Sequence, residues 1–233
     1  MRLENLDIYY QYKRKKKYVF QDVNFTNSEP IVLGLLGKNG SGKTTLLNTL
    51  AGIHNNYTGS FFLDDISGTD RKAYQKCLGY APDRLELSFN LSVESFLESH
   101  ARLYGIERKL IVKAVETAME ISGLEDMCEE RINSFSKGFK KRVLLAHAIL
   151  HNPKYLFLDE PYEGLDKFQK QKLKLFILDR LKKKQSTIIS THELGEASMV
   201  CTNVLFLRDK GISNLYNIDS AQDLEKLYFE NVW

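Results

Sequence analysis

An α/β fold is predicted by three features of this 233-residue sequence. Short apolar runs alternate with amphipathic stretches along most of the chain, the pattern of a layered core in which helices cover a sheet. A glycine-rich loop, Gly37-Lys38-Asn39-Gly40-Ser41-Gly42-Lys43-Thr44-Thr45, joins one such run to one such stretch. A β-rich N-terminal part and a helical block beginning near Leu91 break the alternation. The predicted architecture is a phosphate-loop α/β core with an N-terminal antiparallel β-subdomain and an inserted α-helical subdomain. All of it is read as one domain, 1–233, with the core and β-subdomain at 1–84 and 151–233 and the helical subdomain at 85–150.

The first residues predict a β-meander, alternating loosely over Leu3 to Tyr10 and again over Tyr18 to Phe25. Between them, Lys13-Arg14-Lys15-Lys16-Lys17 suits a solvated hairpin tip, or a contact for anionic lipid or phosphate. Ile31 to Leu36 is a buried strand, and Leu46 to Ala51 a helix with apolar positions three and four apart. Gly59 to Asp65 predicts a strand and turn, and Lys76 to Ala81 a buried strand broken at Pro82. Ser92 is placed to cap a helix running through Phe96 and Leu97 to Leu103. A second helix spans Ile106 to Ile121, with Ile111, Val115, Ala118 and Ile121 on one face and Gly123 as its stop.

Ser134 to Phe139 opens a further helix that runs to Leu150, and Pro153 ends the pattern. Tyr155 to Leu158 is a short buried strand closing on two carboxylates, Asp159 and Glu160. A basic amphipathic helix over Lys167 to Lys184 leads to Ser186-Thr187-Ile188-Ile189-Ser190-Thr191-His192, a strand ending in a histidine. Val204 to Leu207 predicts another strand and Ser220 to Glu230 a terminal helix.

Composition narrows the function. Basic and acidic residues nearly balance, 33 against 30, for a net charge of +3, which argues neither for nucleic acid nor for an acidic substrate. Cys77, Cys128 and Cys201 lie far apart, as reduced thiols do, and form neither a disulfide frame nor a metal motif. No apolar run approaches the roughly 20 residues that span a bilayer. The stretch Met1 to Asn5 carries an acid and no apolar core, unlike a signal peptide. Any membrane role is therefore expected through a partner.

The glycine-rich loop matches G-x-x-x-x-G-K-[ST] in the strand–loop–helix setting that gives this motif its meaning. Its glycines let successive backbone N–H groups turn inward on a phosphate chain, and the following helix adds its positive end. Lys43 would reach the β- and γ-phosphates, and the Thr44 hydroxyl would take a place on Mg²⁺. Asp159 and Glu160, and then His192, follow other strands, and ligands of open parallel sheets bind at such strand ends. Asp159 is placed for a Mg²⁺-bearing carboxylate, Glu160 for orienting the attacking water, and His192 for donating to the γ-phosphate. Phosphoryl transfer asks chiefly for positioning and charge neutralisation, which this set supplies.

With these residues assembled, the chain resembles the nucleotide-binding subunit of an ATP-binding-cassette (ABC) transporter over nearly its whole length. Gly37 to Thr45 resembles the Walker A loop, Tyr155 to Glu160 the Walker B strand with its catalytic glutamate, and Glu163-Gly164-Leu165-Asp166 the D-loop. His192 resembles the switch histidine, and Phe135-Ser136-Lys137-Gly138-Phe139 the signature motif. The resemblance implies an ABC ATPase fold, ATP and Mg²⁺ as cofactors, and two subunits that sandwich two ATP molecules. It implies that Gly37, Asn39, Gly40, Ser41, Gly42, Lys43, Thr44 and Thr45 bind nucleotide. Ser136 and Gly138 of one subunit would meet the γ-phosphate held by the other, and Lys43, Glu160 and His192 would be catalytic. An aromatic residue near the N-terminus would stack on adenine; Tyr10 is favoured, and Tyr12 points the same way along an extended chain.

Two departures stand out. In the signature, Lys137 replaces a glycine and Phe139 a glutamine, a form similar to bacterial efflux-type members. After Leu78-Gly79-Tyr80-Ala81-Pro82, where the family places a glutamine that reaches Mg²⁺, this chain has Asp83, which is expected at the metal through water or out of contact with it. The expected function is an ATPase subunit, homo- or heterodimeric, at the cytoplasmic face of the membrane, driving a separate transmembrane permease and most simply an exporter. The permease groove is expected near Asp83 and 84–102, where Leu85, Leu87 and Phe89 are contact or core residues. The competing class is a soluble ABC ATPase acting on nucleic acid or ribosomes. Against it stand the balanced charge and the lack of sustained heptads between Lys43 and Ser136.

Overall fold

The computed structural model describes residues 1–84, 87, 90–218 and 220–232. Strands β1 (Arg2–Tyr12) and β2 (Lys15–Thr26) form an antiparallel hairpin longer than the sequence pattern predicts. Only Lys13 and Arg14 remain between them, and Lys13 adopts φ 53°. Most of the polar connector is therefore strand, with Tyr12 opposite Lys15 and Tyr10 opposite Lys17. An edge strand tolerates lysines along both faces because neither its outer edge nor its far face is buried.

β3 (Val32–Leu36) then enters the molecule, and the glycine-rich loop leads into α1 (Lys43–Leu50). After β4 (Tyr57–Leu63) and β5 (Ile66–Ser67) comes α2 (Arg71–Cys77), a short helix that the strand expected from Lys76 had obscured. The Asp70 carboxylate caps it by accepting from the Ala73 amide at 3.2 Å, so β6 starts only at Leu78 and runs to Ala81. Three helices follow: α3 (Val93–Leu103), α4 (Arg108–Ser122) and α5 (Lys137–Ile149). The Ser92 hydroxyl caps α3 by accepting from the Ser95 amide, and Gly123 ends α4 at φ 66°. On α4, Ile111, Val115 and Ala118 are buried as the periodicity requires, joined by Met119, while Ile121 is half-buried.

β7 (Tyr155–Asp159), α6 (Lys167–Lys182) and β8 (Ser186–Thr191) restore the alternation. The chain closes with α7 (Leu194–Val200), β9 (Asn203–Arg208), β10 (Gly211–Ile212), β11 (Tyr216–Asn217) and α8 (Ala221–Val232). One sheet has the order β10-β9-β3-β8-β7-β6, parallel from β9 to β6, with β10 and β11 antiparallel to β9. The other is antiparallel, in the order β2-β1-β4-β5.

Side-chain alternation divides the parallel sheet between two cores. Leu33, Leu35, Tyr155, Phe157 and Ile188 pack with α1 and the antiparallel sheet, whereas Val32, Leu36, Leu156, Leu158 and Ile189 pack with the helices of the opposite layer. Successive strand residues point to opposite faces, and with both faces covered the strands read as continuous apolar runs. Leu87 is buried in the helical core; Leu85 and Phe89 lie outside the described residues. No helix among the described residues is long and apolar enough to cross a membrane.

One glycine sets the seating of α5. A Cβ on Gly79 of β6 would lie 1.9 Å from the Ala148 carbonyl oxygen, so the helix backbone rests directly on the strand. His147 of the same helix contacts His100 of α3 at a ring separation of 4.7 Å, and His151, just beyond the helix end, stacks on Tyr104 at 3.9 Å.

Candidate active site

Strands β3, β7 and β8 lie side by side and in parallel, so the segments leaving them emerge at one end of the sheet. There the loop after β3 folds back on itself, with Gly40 at φ 82° and Gly42 at φ 99°, conformations that side-chain-bearing residues seldom adopt. Gly42 is held for a second reason: a Cβ there would approach Val19 of β2 to 2.7 Å and the Phe20 ring to 2.8 Å. Lys43 curls over the loop, its ammonium donating to the Gly37 carbonyl at 2.8 Å and the Lys38 carbonyl at 3.5 Å. Its side chain is 7% exposed. Burial pulls the Lys43 pKa below its ordinary value, opposed by the negative charges of Glu160 and Asp159. The Ser41 hydroxyl beside it is buried with no hydrogen-bond partner, a donor suited to an anion.

Asp159 and Glu160 are positioned by one residue, Ser190 of β8. The Ser190 hydroxyl donates to Asp159 Oδ1 and also accepts from the Glu160 amide at 3.1 Å. That amide further donates to the Ser190 carbonyl at 3.1 Å, which holds Glu160 at φ 48°, a left-handed backbone uncommon for a residue with a side chain. Asp159 is 1% exposed, and its Oδ2 is buried without a partner. A buried, unsatisfied carboxylate oxygen suits a hard cation, and so does the exposed Thr44 hydroxyl. No cluster of three or more His, Cys, Asp or Glu side chains among the described residues could hold a metal unaided.

The Glu160 side chain turns toward the loop. Its Oε1 lies 3.8 Å from Lys43 Nζ, and both carboxylate oxygens lie 3.1 Å from His192 Nδ1. Lys43, Glu160 and His192, predicted from three separate stretches, thus form one chain of contacts. Lys43 and Glu160, but not His192, line a cleft of about 1390 Å³ together with the rest of residues 38–45, Asp83, Tyr10 and Tyr12, and Lys15–Lys17 of β2. Tyr10 is fastened in place, its hydroxyl 3.1 Å from Thr45 Oγ1 and its ring 4.9 Å from that of His54. Tyr12 has no such anchor in the loop helix and is 74% exposed.

The profile of the family described as ABC transporter matches residues 20–163, more than half of the chain and all of the loop, β7 and Glu160. The chain belongs to the ABC transporter family. Within it, the enzyme class is an ATPase. The sequence is 33% identical over 198 residues to an uncharacterised ABC transporter ATP-binding protein, YxlF of Bacillus subtilis, covering 83% of this chain and 64% of that one, so the chain spans less than two thirds of this relative. It is 28% identical to the B. subtilis ABC transporter ATP-binding protein NatA, over 96% of this chain and 94% of NatA. Among solved structures, an ATP-binding subunit of an ABC transporter superposes with a TM-score of 0.85 at 23% identity, over 98% of both chains. A dimeric bacterial ABC transporter cassette superposes with a TM-score of 0.80 at 21% identity, over 93% of this chain and 97% of that one. The fold of this ABC cassette is thereby the one the sequence predicts.

Two sets of expected site residues stand apart from the phosphate loop. Ser136 and Gly138 are exposed at the start of α5, where the Ser136 hydroxyl caps the helix by accepting from the Phe139 amide, and neither lines the cleft. Asp83 does line it, but both carboxylate oxygens have protein partners: Lys141 on Oδ1 at 2.8 Å and Arg84 on Oδ2 at 3.2 Å. Partial burial pushes the Asp83 pKa up, and the hydrogen bond and charge of Lys141 outweigh it, holding the carboxyl below its ordinary value. Sequence reasoning missed Ser190 and Lys141. A hydroxyl inside the apolar run Ile188 to Thr191 was a usable signal for Ser190; nothing local marked Lys141 within Lys140-Lys141-Arg142.

Proposed function

We propose that this chain is the ATP-hydrolysing subunit of an ABC exporter, acting as a dimer on a separate transmembrane permease at the cytoplasmic face of the membrane. The observation that carries the proposal is the contact chain Lys43–Glu160–His192 at the mouth of the glycine-rich loop. Phosphoryl transfer needs a cation on the phosphates, a group on the attacking water and a donor to the transferred group, and these residues lie in that order. Lys43 would neutralise the β- and γ-phosphates, the backbone N–H groups of Gly37 to Thr45 would cradle them, and Tyr10 would stack on adenine. Glu160 would orient water, with His192 holding both that carboxylate and the γ-phosphate.

Thr44 and Asp159 would hold Mg²⁺, their partners in the shell being phosphate oxygens and water. The ion, when bound, neutralises charge on the β- and γ-phosphates. Ser136 and Gly138, exposed and away from their own loop, support a site completed by a second subunit, since a capped helix start is an anion site. The solved cassette with this fold is itself described as dimeric, which supports the same reading. The helices at 93–149 between β6 and β7 support a division into a core (1–84, 151–233) and a helical subdomain (85–150), the latter facing the permease.

The test is recovery of the tagged chain from membranes in mild detergent. A polytopic membrane protein should accompany it in fixed ratio, and vesicles holding the pair should hydrolyse ATP faster than the chain alone. A chain that stays free of membranes, with turnover raised instead by nucleic acid, would overturn the proposal.

A further inference from the structure

Asp83 stands where the resembled family has glutamine, and its partner comes from an unexpected element. Lys141, in the second turn of α5, donates to Asp83 Oδ1 at 2.8 Å and to Glu163 Oε2 at 3.2 Å. Three parts of the site meet at one ammonium: the segment after β6, the loop after β7 and the helix whose first turn carries Ser136 and Gly138. The Lys141 and Asp83 side chains are 14% and 19% exposed, against 60% for Glu163 and 78% for Arg84. The Lys141–Asp83 arm is therefore the sheltered one, where a charge-assisted hydrogen bond holds its geometry; the outer contacts are screened surface pairs.

The same helix touches the same strand segment elsewhere. At its C-terminal end the Ala148 carbonyl rests on Gly79 of β6; nearer its N-terminal end Lys141 is tied to Asp83, just beyond β6. Two fixed points seven residues apart, about 10 Å along a helix, define the direction of its axis. We propose that Lys141 is a positioning residue whose ion pair with Asp83 sets the α5 N-terminus relative to the strand ends bearing Asp159 and Glu160, with Asp83 serving as its anchor and not as a ligand of magnesium. A cation on Asp83 would have to compete with Lys141 at Oδ1 or with Arg84 at Oδ2, and its charge would repel the sheltered Lys141 ammonium from the carboxylate. The displaced Lys141 would keep only the exposed Glu163. Desolvating an ammonium without a close partner is unfavourable, so the ion pair resists that exchange.

This inference rests on the proposed ATPase role, and the experiment separates the two. Wild type, Lys141→Met, Lys141→Arg, Asp83→Gln, Asp83→Lys and the exchange Asp83→Lys/Lys141→Asp are compared for kcat, KM for ATP and the Mg²⁺ concentration that half-saturates binding of a fluorescent ATP analogue. Lys141→Met should lower kcat about tenfold while KM and the Mg²⁺ half-saturation move less than about threefold. Lys141→Arg should keep at least about half of wild-type turnover, and the exchange should recover most of the loss. Asp83→Gln, whose amide oxygen can still accept from Lys141, should stay within about tenfold of wild-type turnover. Wild-type kcat in Lys141→Met, or a several-fold rise in Mg²⁺ half-saturation in Asp83→Gln, would overturn the proposal. If Lys141→Met does not fold, the exchange decides: turnover no better than that of Asp83→Lys alone overturns it. A wild-type chain that turns over no ATP would instead overturn the ATPase role itself.

Discussion

Glu160 and His192 contact each other across two strand ends, with His192 Nδ1 3.1 Å from both oxygens of the Glu160 carboxylate. β7 and β8 pair in parallel register with Asp159 opposite Ser190, so Glu160 leaves its strand one residue past this pair and His192 two residues past it, at the same end of the sheet. The contact leaves His192 Nε2 directed at most toward the exposed Glu193, 3.5 Å away. A histidine so held can orient the carboxylate with one nitrogen and reach a substrate with the other.

His192→Ala removes that orientation without touching the loop. We expect kcat to fall by about 10²-fold, within the range for loss of a positioned acid–base partner, while KM for ATP changes by no more than about threefold. Phosphate-release kinetics across ATP concentrations check this. A loss confined to KM would move His192 from catalysis to ground-state binding.

Acid stability should report the two histidines at the C-terminal end of α5, His147 and His151. Burial, reinforced by the nearby His100 and His151, lowers the His147 pKa to about 4; burial, with the charge of Arg180, does the same for His151. Both are bases with depressed folded-state values, so the unfolded chain binds protons that the folded chain refuses. Their stabilising effect is complete above the unfolded value of about 6.5 and is lost as pH falls from there toward 4. At pH 5 each contributes a loss of about 2 kcal/mol. The window from pH 6.5 to 5 lies above ordinary carboxylate titration, so Tm measured there isolates the histidines. His147→Phe should flatten the dependence, and an unchanged slope would contradict the assignment.

Gly79→Ala tests the seating of α5. The added methyl would lie 1.9 Å from the Ala148 carbonyl oxygen and 2.8 Å from the Pro153 ring, with backbone on one side and a rigid ring on the other. Overpacking of this kind costs about 3 kcal/mol. Chemical denaturation should show a lower midpoint, and turnover per folded molecule should also fall, since the helix bearing Ser136 must shift. Wild-type stability would mean that α5 can retreat from β6 freely.

Most of the site was legible because its residues end short apolar strands, and such strands announce themselves as runs of about five apolar residues between turn signals. Asp159, Glu160 and His192 occupy that position, and Lys43 opens the helix that follows the glycine-rich loop after β3. Features that depend on convergence were not legible. Lys141 meets Asp83 across 58 residues, and neither stretch carries a mark of the other. Ser190 holds the Asp159 carboxylate and the Glu160 backbone amide from a neighbouring strand. Helices α2 and α7, seven residues each, are too short for their period to emerge from flanking polarity, and the two-residue strands β10 and β11 exist only through their pairing with β9. The hairpin was underestimated because its tip residues pair as Tyr–Lys couples with both faces open.

The central claim is that Glu160 drives hydrolysis in a site completed by a second subunit. Its most direct measurement is the oligomeric state of Glu160→Gln by light scattering on a sizing column, with and without millimolar Mg-ATP, alongside phosphate release. Glu160→Gln should be a monomer without nucleotide and a stable dimer with ATP, with turnover reduced by at least about 10²-fold. A Glu160→Gln chain that stays monomeric at saturating ATP, or that hydrolyses ATP at the wild-type rate, would contradict it.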